Sequence, residues 1–217
     1  MTYGDPAWRF SRLWIVPLTR LLTRPRLYGG ERIPREGGCV LAVNHLHWVD
    51  IAVVGTLSPR MINYVTKREA FELPLGLGWY ISLHGTIGVR RGESDRDAVR
   101  HMREAAHEGR MVGLFVEGTR QKHGRPGKAQ PGAAMVAIQE DVPVIPAAVY
   151  GTQFWRPGNF APCSVAIGEP VRFDGVPRGG LGYKQATAEI ERRINVLFDW
   201  LADVHARGRP RGETPPL

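Results

Sequence analysis

Residues 8–24 repeat their apolar positions at helical spacing, whereas most of the remaining chain alternates short apolar runs with longer mixed segments. Projected at ~100° per residue, Arg9, Arg12, Arg20 and Arg24 fall on one side of the first helix. Trp8, Phe10, Trp14, Ile15, Leu18, Leu21 and Leu22 fill most of the other side, with Leu13 and Val16 out of pattern. Pro17 must kink or divide the segment. Basic side chains opposing Trp, Phe and Leu are the composition of a helix lying in a bilayer interface. A helix packed over one end of a core shows the same stripe. A polar face made of arginine alone favours the membrane.

From Gly29 onward the pattern predicts alternating strands and helices. Gly38 to Val43 reads as a buried strand and Ile51 to Leu57 as a helix, followed by a strand over Asn63 to Thr66. Leu77 to Leu83 reads as a short helix and Ile87 to Val89 as a strand. The next helix has Ser94 as its N-cap and Gly109 as its stop. Met111 to Val116 is almost wholly apolar, as in a strand buried on both faces. A helix from Pro131 to Ile138 and strands at Val144 to Val149, Cys163 to Ile167 and Val171 to Phe173 follow. Leu181 to His205 closes the chain as a helix, with Ile190, Ile194, Leu197, Phe198 and Leu201 at helical spacing. The predicted class is α/β: a largely parallel central sheet flanked by helices, with an N-terminal amphipathic membrane-docking segment. The segment occupies 1–28 and the α/β domain 29–206; residues 207–217, rich in Pro, Gly and Arg, are expected to be a disordered tail.

The most informative chemistry is Asn44-His45 with Asp50 five positions beyond the histidine. His45 would stand where a strand ends and a helix begins, and a carboxylate one turn into that helix can fold back onto the imidazole. Such a contact fixes the tautomer and leaves the second nitrogen free to take a proton. No Ser, Cys or Thr is spaced as a nucleophile beside it, which points to a base acting on a substrate hydroxyl rather than to a hydrolase triad. The plain alternative is a helix start with Asn44 as cap and Asp50 in solvent.

Three further segments accompany this one: Gly85-Thr86-Ile87-Gly88-Val89-Arg90-Arg91, Phe115-Val116-Glu117-Gly118-Thr119-Arg120 and Val142-Pro143-Val144-Ile145-Pro146-Ala147. In order and spacing the four resemble the blocks of the 1-acylglycerol-3-phosphate acyltransferase family, across residues 44 to 147. Val116 stands where that family usually has proline, His47 where a small hydroxyl residue is common, and Arg91 fits the second block better than Arg90. The resemblance implies that His45 acts as general base, that Asp50 orients it, and that the acceptor attacks the donor directly without an acyl-enzyme. It implies a lysophospholipid acceptor, 1-acylglycerol-3-phosphate above all, and acyl-CoA or acyl-carrier protein as donor, with no cofactor beyond that co-substrate. It also assigns Asn44, Arg91, Glu117, Gly118, Thr119 and Arg120 to substrate binding, and Lys67, at the end of a predicted strand, is a further cation for the acceptor phosphate or else a solvated strand end. Arginine forks suit phosphate oxygens, and a glycine lets backbone N–H groups approach an anion. Glu117 is linked in the family to the acceptor. Another lipid or glycolipid hydroxyl as acceptor, or an inactive lipid-binding module on the same fold, remain the alternatives.

Composition changes this picture in one respect. At 217 residues the chain suits a single domain, but its net charge of +8 and isoelectric point near 10.0 call for anionic partners. Much of that charge lies in the first helix opposite tryptophans and in the tail. This fits an anionic membrane surface better than nucleic acid, which needs a basic stripe with stacking aromatics. Cys39 and Cys163 read as reduced thiols, and no His/Cys spacing suggests a metal site. His84, His101, His107, His123 and His205 read as structural. The basic segment Arg120 to Lys128 is either a surface loop or one that orders on the donor's phosphates. No apolar run reaches the ~20 residues of a membrane span and no secretory signal is evident. The expected location is cytoplasmic, peripheral on the inner face of the cell membrane.

Overall fold

A computed structural model describes residues 5–67, 86–89 and 95–217. Among them the helices are α1 (Asp5–Thr23), α2 (Asp50–Leu57), α3 (Asp95–His107), α4 (Gly132–Glu140) and α5 (Gly180–Ala206). The strands are β1 (Arg26–Tyr28), β2 (Cys39–Val43), β3 (Ile62–Lys67), β4 (Ile87–Val89), β5 (Met111–Phe115), β6 (Val144–Tyr150) and β7 (Ser164–Ile167). They form one seven-stranded sheet in the order β1-β7-β6-β2-β5-β3-β4. Only the β6–β7 pairing is antiparallel, so the sheet is largely parallel, as expected.

Strand β2 is the centre of the molecule. All five of its residues are buried, and the period-two alternation of a strand divides them between two cores. Val40 and Ala42 face α3, α4 and α5, while Cys39, Leu41 and Val43 pack toward α1 and α2. Being covered on both faces explains why the run is uninterruptedly apolar. From β2 the chain departs toward β3 on one side, and from β5 it later crosses to β6 on the other. Such a reversal opens a crevice beyond the carboxyl ends of the strands, where α/β sheets place their ligands. Val43 lies in register with Phe115 and Ala147, so β2 and β5 end together there while β6 runs on to Tyr150.

Three expectations need correction. The sheet begins before residue 29: Arg26–Tyr28 pairs in parallel with Ser164–Ala166, so the first segment is not separable at residue 28. Residues 207–217 are not a loose tail. Tyr28 donates to the Pro210 carbonyl, Arg32 donates to the Pro215 and Leu217 carbonyls, and the Glu169 N–H donates to Leu217. Arg207 also pairs with Glu213. Backbone carbonyls taken up this way order a segment that composition alone marks as mobile. Val171–Phe173 is not a strand; Val171 makes a single bridge to Val144.

In α1 the apolar residues divide between two sides. Ile15, Val16 and Leu22 turn inward, toward α2 and the sheet, with the small polar Ser11, Thr19 and Thr23 buried beside them. Phe10, Leu13, Trp14, Leu18 and Leu21 point outward as one exposed stripe. Leu13, which breaks the helical projection, therefore belongs to the outer face. Arg12 leaves the expected basic face: its guanidinium covers Trp8 and donates to the Ser58 carbonyl. No helix among the described residues is long and apolar enough to cross a membrane. The expected helix at Leu77 to Leu83 lies outside the described residues.

Candidate active site

The loop from Asn44 to Val49 turns the chain from β2 into α2 at the crevice, and its side chains hold it from within. Asn44 does not cap the helix. Its amide exchanges both hydrogen bonds with the backbone of Val149, 3.1 and 2.8 Å, stapling the end of β2 to β6. Asp50 is the first helical residue and is 0% exposed, which excludes a solvated carboxylate. One of its oxygens, Oδ2, takes His45 Nδ1 at 2.8 Å and the backbone N–H groups of Leu46 and His47 at 2.7 and 2.8 Å. Three donors converging on one buried oxygen fold the loop around the carboxylate. Bonded to an anion, Nδ1 carries the hydrogen, and Nε2 is then the basic nitrogen. Among the described residues nothing bonds to Nε2.

The imidazole is fixed from its face as well. Phe115 stacks on it with ring centroids 4.0 Å apart, and Tyr64 stacks on Phe115 at 5.9 Å. The backbone around it is clamped twice more: the Gln121 N–H donates to the His45 carbonyl at 2.8 Å, and the His45 N–H donates to Glu117. Glu117 follows β5 by two residues and points inward, only 5% exposed. Its two oxygens accept from the His45 N–H at 3.0 Å and the Gly127 N–H at 3.3 Å. Burial pushes its carboxyl up to about 7, against the opposing pull of those N–H groups. It braces the His45 loop against the 121–131 segment.

Beyond Glu117 the chain reverses at Gly118, where φ is +68° and a side chain would be strained. Gly118, Thr119 and Arg120 are exposed there. Arg120 lies near enough to His47 to bias it, and burial, Arg156 and Arg120 together keep the His47 imidazole below its usual range although Asp50 opposes them. His47 is neutral at neutral pH and sits in an aromatic cluster with Trp48 and Trp155. Lys67 ends β3. Arg90 and Arg91 lie outside the described residues. Next to the stacked rings, a cavity of about 320 Å³ opens between α1, α2 and β3, lined by Ile15, Val16, Ile51, Ala52, Ile62 and Tyr64 among others. The sequence placed Phe115 in the third block and Gln121 and Gly127 in the basic segment after it, but not their roles: one stacks on His45, and the others act through backbone N–H groups. No group of three or more His, Cys, Asp or Glu among the described residues could hold a metal ion.

Residues 24–150, more than half of the chain, match the Acyltransferase family. The chain belongs to that family. It is 30% identical over 145 residues to a chloroplastic 1-acyl-sn-glycerol-3-phosphate acyltransferase of Brassica napus, a match spanning 65% of this chain and 42% of that protein. With the 1-acyl-sn-glycerol-3-phosphate acyltransferase of Pseudomonas aeruginosa it shares 27% identity over 213 residues, 94% of this chain and 77% of that one. A lyso-ornithine lipid O-acyltransferase of the same organism is 34% identical over 112 residues, 51% of this chain and 42% of the relative. The fold matches that of the 1-acyl-sn-glycerophosphate acyltransferase PlsC of Thermotoga maritima with a TM-score of 0.71, at 22% identity over 98% of this chain and 86% of that one.

Proposed function

We propose that this acyltransferase moves a fatty acyl group from acyl-CoA or acyl-carrier protein to the free hydroxyl of a lysophospholipid, 1-acylglycerol-3-phosphate above all, giving phosphatidic acid. The observation that carries this reading is the buried Asp50 carboxylate on His45 Nδ1, which leaves Nε2 as a base at the crevice. The acceptor hydroxyl gives its proton to Nε2 as its oxygen attacks the thioester carbonyl. Asp50 stabilises the imidazolium that forms. The tetrahedral intermediate collapses, the carbon–sulfur bond breaks, and the imidazolium returns the proton to the departing thiolate. Phe115 and Glu117 hold the imidazole and its backbone, so little reorganisation accompanies the transfer.

Arg120, with Gly118 and Thr119 in the same exposed turn, is the described candidate for the acceptor phosphate; Lys67 and Arg91 complete the proposed set. The apolar cavity between α1, α2 and β3 suits a hydrocarbon chain. The exposed stripe of α1 rests in the acyl boundary of an anionic membrane, with Arg9, Arg20 and Arg24 available to headgroups. The resemblance to the lyso-ornithine relative favours one second reading, a lyso-aminolipid acceptor. Purified protein presented with acyl-CoA or acyl-carrier protein and a panel of lysolipids tests both. Preference for 1-acylglycerol-3-phosphate upholds the proposal, preference for the aminolipid selects the second reading, and absence of any transfer refutes both.

A further inference from the structure

Ten large apolar side chains stand exposed among the described residues, and nine of them occur on three abutting segments. Five form the outer stripe of α1, Trp48 lies in the His45 loop with Ile51 just beyond it in α2, and Phe154 and Phe160 lie in the loop after β6. The segments are tied together. Trp155 Nε1 donates to the Leu22 carbonyl, Arg24 donates to the Phe160 carbonyl, and the Cys163 N–H donates to Thr23. Trp48 meets Trp155 edge to face at 5.5 Å.

We propose that the loop 152–160 is a second membrane-contacting element, seating Phe154 and Phe160 in the acyl boundary of an anionic bilayer beside the mouth of the His45 crevice. The inference rests on the reading of α1 as the first such element and extends it to the site itself. Charge complementarity selects the occupant. Residues 6–30 and 151–168 carry Arg9, Arg12, Arg20, Arg24, Arg26 and Arg156 and not one Asp or Glu. Arg12, Arg24 and Arg156 already donate to backbone carbonyls, which leaves their charge uncancelled, so the face carries a net positive field that favours phosphodiester headgroups over a protein partner of mixed charge. Phe160 adds an independent sign. It holds φ at +50°, a conformation that suits Gly or Asn and is strained for a bulky residue, and it is solvent-exposed as well. A phenylalanine that gains neither burial nor comfortable backbone gains both apolar contact and purpose at a membrane. Lateral access follows: an acceptor in the bilayer reaches the crevice between α1 and this loop without entering water.

The test pairs Phe154→Ser with Phe160→Asn, asparagine being at home at positive φ, so the fold is spared. Binding to equimolar phosphatidylcholine–phosphatidylglycerol vesicles should weaken about tenfold, as expected on withdrawing two aromatic rings from the acyl boundary. The thermal midpoint should not fall, and transfer to a short-chain, water-soluble acceptor should not change. A polarity-sensitive fluorophore on Phe160→Cys should shift to the blue with vesicles while the same label on Leu181→Cys, across the sheet on α5, should not; Cys39 and Cys163 are buried and stay unlabelled. Vesicle binding equal to that of the unaltered chain, or a blue shift at both labels or at neither, overturns the inference. If Leu18→Ser with Leu21→Ser abolishes binding while the loop variant binds normally, α1 docks and the loop does not. If the intact chain binds no vesicles, the membrane reading fails as a whole. A dimer in solution that the loop variant breaks would assign the face to a second copy and refute the proposal.

Discussion

Replacing Glu117 by glutamine should change how stability depends on pH more than it changes stability at any one pH. The carboxyl is 5% exposed, and its proton affinity in the folded chain rises from the ordinary 4.5 to about 7. Between those values the native protein retains a proton that the unfolded chain has released. Stability from this group is therefore complete below about 4.5 and is lost as pH climbs through about 7. The shift corresponds to a ceiling of ~3 kcal/mol, and relaxation around the brace reduces it to on the order of 1–3 kcal/mol. Glutamine has no charge to bury. It keeps one acceptor for the His45 N–H but turns an NH₂ toward the Gly127 N–H, replacing the 3.3 Å bond by two opposed donors. That loss, ~1 kcal/mol, is nearly independent of pH. Urea unfolding of both proteins across the window, with equal m-values as a check on the unfolded states, should show the variant gaining on the parent as pH rises. Parallel curves would mean that the carboxylate is solvated or its charge offset. A slope of opposite sign would mean that the two N–H donors outweigh burial. Either result refutes the reasoning.

Further outcomes can be stated briefly. His45→Ala should lower turnover by ~10²–10⁴ without unfolding the chain. Asp50→Asn should lower it strongly as well and also cost stability, because one amide cannot replace an anion that receives three donors; near-normal turnover in a folded His45→Ala protein would remove the mechanism. Arg120→Ala should raise KM for a phosphorylated acceptor far more than for an uncharged one, with little change in thermal midpoint since the side chain is exposed. His205, bonded to Ser164 and held down to about 4 by burial and by Arg209 and Arg26, contributes stability that is present above about 6.5 and lost as pH falls through 4. Acid unfolding of His205→Gln should accordingly be shallower than that of the parent.

Much of the fold was legible because burial on both faces of a parallel sheet leaves an unmistakable apolar run, as in Cys39–Val43 and Met111–Phe115. The His45–Asp50 pair was legible because five positions across a strand-to-helix junction let a carboxylate fold back onto the imidazole, although Asp50 opens α2 rather than lying one turn inside it. What escaped notice depends on partners distant in sequence. Arg26–Tyr28 is three residues of edge strand whose pairing lies some 140 residues on, too short to show a period. The order of 207–217 comes from side chains of Tyr28 and Arg32, invisible in the tail's own composition. Glu117 was placed in the site by its block, but only the fold shows which way the carboxylate points. On α1, periodicity gave one apolar side with Leu13 and Val16 out of pattern, and only the fold divides it into an inner and an outer face.

The junction after α1 has mechanical meaning. Only Arg24 and Pro25 separate that helix from β1; proline fixes one φ, and Arg24 sits at φ +40° with its guanidinium bonded across to Phe160. Thr23, the last helical residue, is fully buried. There is no swivel here. Any surface that captures α1 sets the azimuth and tilt of the whole sheet, and with them the angle at which the His45 crevice is presented, as a keyed shaft turns its wheel.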